Sequence, residues 1–117
     1  MGDLTAHFSR AEFACRCGQC ESIPPSSLLL RELEDIRSIL RSPIHILSGY
    51  RCYSHNKTIG GAAHSRHLKA EAADIVCRNE SAERVYMILD SLYPDQYGIG
   101  LYPSFVHFDV RPTKARW

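Results

Sequence analysis

A chain of 117 residues, 44% hydrophobic and 23% charged, has the make-up of one globular domain spanning 1–117 and is too short for two independent cores. Its formal net charge of +1, with acids and bases interspersed, excludes an electrostatic grip on nucleic acid or an anionic membrane, and no apolar run approaches the roughly 20 residues that span a bilayer. Function must therefore lie in a site rather than in a field.

The start, "MGDLTAHFSRAEF", carries an early acid and no apolar stretch of the secretory kind, so synthesis in the cytoplasm is expected. In "FSRAEF" Ser9 stands three before Glu12, the spacing of a capping box, with Phe8 placed to pack over the short helix that follows. "CRCGQC" then predicts a tight knuckle turning at Gly18. "LLLRELEDIRSILRS" places Leu29, Leu33, Ile36 and Leu40 at helical spacing and predicts the main amphipathic helix. "PIHILSGY" reads as a strand ending at Gly49, and "SHNKTIGG" as a helical turn opened by Ser54 and stopped by the glycines. "AADIV" is a second strand. "SAERVYMILDSLYP", with Val85, Ile88, Leu89 and Leu92 on one stripe between a serine cap and Pro94, is a second helix. "YGIGLY" and "SFVHFDVR" are strands joined at "YPS", and the second sets Phe105, His107 and Asp109 on the face opposite Val106, Phe108 and Val110. These elements predict an α+β fold, a small and largely antiparallel sheet with helices on one side.

His67, Asp74 and His107 are the residues that suit one metal. Zinc accepts imidazole nitrogen and carboxylate oxygen, and three protein ligands leave a fourth position open, as catalytic sites require. In "SRHLKAEAADI" the small Ala70, Ala72 and Ala73 let the backbone turn tightly after His67 and bring Asp74 back beside it. Each residue also has a plain alternative: a histidine among six is commonly a surface group, and an aspartate after an alanine run is commonly a cap. Spacing alone does not choose.

At this point the chain resembles a family. "SRHLKAEAAD" is similar to the SxHxxGxAxD motif of the zinc D-Ala-D-Ala carboxypeptidase and L-Ala-D-Glu endopeptidase family of cell-wall peptidases, whose fold and metal site are hedgehog-like. Ser65, His67, Ala72 and Asp74 match, while Ala70 stands at the glycine position. "ILSGYRCYSHNKTIGGAAHSRH" resembles the family's SGYR...HN...GG approach to the first ligand, and "GIGLYPSFVHFDVR...RW" resembles the end of its phage- and prophage-associated branch. The resemblance covers roughly residues 8–117.

The resemblance implies Zn2+ on His67, Asp74 and His107, with Arg51 binding a substrate carboxylate or the oxyanion rather than serving the fold. It implies that Ser65 orients the site or the substrate, and it leaves Ser48 and Tyr50 as structural. Better-described relatives carry a glutamate three residues before the third ligand or a histidine two before it. Here those positions are Ser104 and Phe105. Asp109, on the same face as His107, is then either the general base or the partner that orients a ligand imidazole. His64 and His55 are weaker candidates for the base.

Five cysteines, Cys15, Cys17, Cys20, Cys52 and Cys77, cannot all pair within one chain. A second metal, free thiols and a disulfide stay open for them. The expected function is a zinc metallopeptidase hydrolysing peptidoglycan stem peptides. It would be a monomer of phage or prophage origin, acting on the cell wall after release or as part of a phage particle. The alternative is a non-catalytic zinc module that binds cell-wall peptide or a protein partner, such as a phage tail component. A cysteine-rich zinc adaptor would explain "CRCGQC" but not the downstream motifs.

Overall fold

The computed structural model describes residues 2–117. A 3-10 helix, Arg10–Phe13, begins at the expected capping box, where Glu12 Oε1 accepts from the Ser9 amide at 2.8 Å. Phe8 and Phe13 meet edge to face, their centroids 6.0 Å apart, and both are buried. Helix α1, Ser27–Leu40, starts where the Ser26 hydroxyl accepts from the Leu29 amide, and it buries Leu29, Leu33 and Ile36. Strand β1 is Ile44–Ser48 and β2 is Ala72–Cys77. Between them lies α2, Tyr53–Thr58, capped not by Ser54 as expected but by Cys52, whose sulfur accepts from the His55 amide. Helix α3, Ala82–Leu92, follows its Ser81 cap and buries Val85 and Leu89. Strands β3, Gly98–Leu101, and β4, Val106–Asp109, form the expected hairpin. A fifth strand, β5, Ala115–Arg116, was not foreseen, because two residues are too few to show a period.

The sheet runs β1-β2-β4-β3-β5, antiparallel except for the parallel β3–β5 pair. Alternation along each strand separates its two faces. Ile46, Ala73, Ile75, Ile99, Val106 and Phe108 join Leu29, Leu33 and Ile36 of α1 and Val85 and Leu89 of α3 in one core, so the two long helices lie on one side as expected. Each fully buried Leu or Ile there stabilises the fold by roughly 1.5–3 kcal/mol.

The opposite face carries the polar residues. Asp74 pairs with His107 across β2 and β4, and His107 and Asp109 pair with Gly100 and Gly98 of β3. A bulge in β1 between Ile46 and Ser48 shifts the register by one, so Ser48 rather than Leu47 stands opposite Asp74. Among the described residues no helix is long and apolar enough to cross a membrane.

Candidate metal centre and its cleft

Strand register delivers two of the three predicted ligands, because Asp74 and His107 are direct cross-strand neighbours. The third comes from a 3-10 helix, Arg66–Lys69, whose cap Ser65 accepts from the His67 amide through its hydroxyl. Ala70 ends that helix in the left-handed region, at φ 56°, and so turns the chain from His67 into β2. This is the position of the motif's glycine. An alanine there carries strain that glycine would avoid.

The donor atoms converge. His67 Nε2 lies 3.2 Å and His107 Nδ1 lies 3.1 Å from the same Asp74 oxygen, Oδ1. The far nitrogen of each ring decides its tautomer. His67 Nδ1 faces the Gly49 carbonyl at 2.6 Å, and a carbonyl only accepts, so Nδ1 carries the proton and Nε2 presents a lone pair. His107 Nε2 faces Asp109 Oδ2 at 2.7 Å, so it donates there and Nδ1 presents the second lone pair. Two imidazole lone pairs and a carboxylate oxygen pointed at one another repel unless a cation or added protons lie between them. All three residues are buried, with ligand atoms within 4.8 Å of one another. The set can hold a metal, and its N,N,O chemistry fits zinc.

Supports surround the three. Arg51 Nη2 donates to the second Asp74 oxygen at 3.1 Å, its Nε to Ser48 Oγ at 3.2 Å and its Nη1 to Asn56 Oδ1 at 3.4 Å. Arg51 therefore does structural work that the reading of it as a substrate group left out, with Ser48 as one of its partners. Asp109 is fully buried. Its carboxylate takes the His107 proton and a two-pronged contact from Arg111, Nε to Oδ1 at 2.8 Å and Nη2 to Oδ2 at 2.7 Å.

Titration follows from these contacts. Burial raises Asp74, but without a metal the hydrogen bonds that the protonated His107 and His67 rings donate outweigh it and hold the carboxyl far below the usual carboxylate range. Burial likewise raises Asp109, and His107 and Arg111 pull it far down. Burial lowers His107, yet its hydrogen bonds to Asp109 and Asp74 carry it above its ordinary value.

The centre opens into a cleft of about 620 Å³. Ser65, His64 and residues 59–63 form one wall, braced by Asn56, whose Nδ2 donates to the Ala62 carbonyl at 2.8 Å. Tyr102, Phe105 and Trp117 form the other, with the Tyr102 and Phe105 rings stacked at 4.6 Å and the Trp117 indole donating to the Tyr102 hydroxyl at 3.0 Å. Asp74 is the only acid in the lining, which also carries Arg51, Arg66 and Arg111. Asp109 and His55 do not line it.

The family profile of Peptidase M15 matches residues 6–109, most of the chain. The chain belongs to the Peptidase M15 family. M15 peptidases are zinc-dependent metallopeptidases, and the His-Asp-His cluster supplies a set that could hold that metal. A search of the curated proteins returns no match.

Sequence reasoning missed Arg111 and Trp117 as members of this M15 site. A signal for both existed. Asp109 and Arg111 stand two apart at the end of a strand, and "GIG" leaves β3 without side chains on the site face: a Cβ on Gly98 would strike the Asp109 carboxylate, and one on Gly100 the Trp117 indole.

Proposed function

We propose that this M15 domain is a zinc-dependent peptidase that hydrolyses peptidoglycan stem peptides, as a D-Ala-D-Ala carboxypeptidase or an L-Ala-D-Glu endopeptidase. The observation that carries the reading is the convergence of His67 Nε2, His107 Nδ1 and Asp74 Oδ1 at the base of an arginine-lined cleft. His67, Asp74 and His107 would hold a zinc ion, which would supply Lewis acidity to a scissile carbonyl and to the attacking water.

The protein's own groups do the rest. Stem peptides carry free carboxylates, and the guanidinium groups of Arg51, Arg66 and Arg111 offer planar forks suited to them. Ser65 fixes the His67 segment through the amide and sets the cleft wall beside it. Asp109 holds His107 in the tautomer that leaves Nδ1 unprotonated; buried, paired with Arg111 and outside the lining, it positions rather than accepts a substrate proton. Proton transfer to the leaving amine falls to His64, the imidazole of the lining outside the ligand set.

Phage or prophage origin, a monomeric state and action on the wall after release or within a phage particle complete the proposal, supported by the resemblance of "GIGLYPSFVHFDVR...RW" to that branch. The second reading is a zinc module that binds cell-wall or partner peptide without cutting it. What favours it is the lining, in which no carboxylate beyond Asp74 is available as a base.

Incubating the purified protein with peptidoglycan and with defined stem peptides, with and without chelator, tests both. Chelator-sensitive release of D-Ala or of stem fragments supports the peptidase. Zinc-dependent binding of intact peptide without release supports the module.

A further inference from the structure

Four of the five cysteines come together at a second place, remote in chemistry from the His-Asp-His centre. Cys15, Cys17 and Cys20 lie on the knuckle, Cys52 lies between Arg51 and α2, and their sulfurs all fall within 4.8 Å of one another. Cys77, the odd one, is buried in the core on β2. All five are unpaired thiols, and the Cys17 and Cys52 sulfurs stand 3.9 Å apart, far beyond a disulfide bond. A tetrahedral zinc with Zn–S bonds of about 2.3 Å separates its sulfurs by about 3.8 Å. The observed spacing is that of sulfurs around a shared ion.

The backbone is arranged for thiolates as well. The Cys52 amide donates to Cys15 Sγ at 3.4 Å, the Gln19 amide to Cys17 Sγ at 3.4 Å and the His55 amide to Cys52 Sγ at 3.5 Å. Amides aimed at sulfur stabilise its charged form, the form that binds metal. Gly18, at φ 69°, makes the turn that returns Cys20 toward Cys17.

We propose that Cys15, Cys17, Cys20 and Cys52 bind a structural zinc ion that staples the N-terminal knuckle to the loop carrying Arg51. Four thiolates close the coordination sphere, so the ion has no open position and no part in hydrolysis. Soft sulfur selects zinc over the hard cations. The staple has a mechanical purpose. Residues 14–26 have no helix or strand of their own, and the 3-10 helix before them is held to the loop between β1 and α2 by the Tyr50 amide donating to the Phe13 carbonyl at 2.9 Å. Arg16, between two of the cysteines, donates to the Ile46 and Leu47 carbonyls of β1, the edge strand of the sheet. Fixing Cys52 fixes its neighbour Arg51, which holds Asp74.

Metal analysis of protein purified under reducing conditions tests this independently of any peptidase activity. Wild type should hold two zinc ions per chain, and His67→Ala should hold one. The double variant Cys17→Ser, Cys20→Ser should also hold one, but it can fail by unfolding, so cobalt in the His67→Ala background decides. There the expected result is sulfur-to-cobalt charge transfer with the intense visible bands of a tetrahedral thiolate site, together with thiols that alkylate only after chelation. A His67→Ala protein that carries no metal after dialysis, or whose cobalt form lacks thiolate charge transfer, overturns the proposal. So does an intact mass that reveals a disulfide among the four.

Discussion

The two clusters are built in opposite ways. The His-Asp-His centre is written into the sheet: Asp74 and His107 are cross-strand neighbours, a capped 3-10 helix supplies His67, and each ring is held from behind by Gly49 or Asp109. The four-cysteine cluster has no ladder beneath it. Three of its members share a six-residue knuckle, and the fourth caps a short helix. Donors carried by a hydrogen-bonded sheet are preorganised, so the metal finds its site made. Donors carried by irregular backbone need the metal to hold the backbone. Removing metal should therefore cost the first site its chemistry and the second its structure.

The sharpest break is His67→Ala. The proposed hydrolysis of stem peptide should fall by about a thousandfold or more, the scale of losing a principal source of transition-state stabilisation. The circular dichroism spectrum should stay native, because the sheet does not depend on this ligand. Loss of native structure in that variant would mean that the centre is not preorganised.

Asp109→Asn keeps shape and removes the charge behind His107. Zinc affinity should weaken by about 10 to 100-fold, with added zinc restoring most of the rate. Were Asp109 the general base, saturating zinc would restore none of it. A zinc titration followed by hydrolysis rate distinguishes the two roles.

Arg51→Ala removes the group that holds Asp74 and faces the cleft. We expect at least about a tenfold loss in kcat/KM, about 1.4 kcal/mol, accompanied by weaker zinc binding. Zinc affinity equal to wild type would assign Arg51 to substrate alone, the role that the sequence reading gave it.

pH probes the preorganised centre through His107, whose folded pKa is raised. In the metal-free protein the stability from its protonated form is full below the unfolded value of about 6.5 and is lost as pH rises through the higher folded value. Zinc needs the neutral ring, so its stabilisation grows over the same window. Melting temperature should fall with rising pH in chelator and rise with it in zinc. Parallel curves would contradict the raised pKa.

The smallest effect is expected at Ala70→Gly. The left-handed φ of 56° costs alanine roughly 1–2 kcal/mol, partly offset by the entropy of a more flexible unfolded chain. A gain of up to about 1 kcal/mol in denaturant melts, with metal affinity unchanged, is the expected outcome.

Much of this protein was legible in its sequence because the relevant physics is local. Serine caps at Ser9 and Ser81 and the apolar stripe of Leu29, Leu33, Ile36 and Leu40 mark three helical segments, and alternation in "SFVHFDVR" puts His107 and Asp109 on one face. The motif resemblance picked out His67, Asp74 and His107 before any distance was known. What the sequence left open depends on pairs far apart in the chain. A bulge that exchanges Leu47 for Ser48 opposite Asp74 follows from register, which hydrogen bonding between strands decides. The place of Asp109 depends on Arg111 closing over it and on two side-chain-free glycines of β3 leaving room. Trp117 joins the cleft only because a two-residue strand pairs with β3, too short a segment to announce itself. The meeting of Cys52 with the knuckle spans more than thirty residues of chain, a closure that only packing of the whole core brings about.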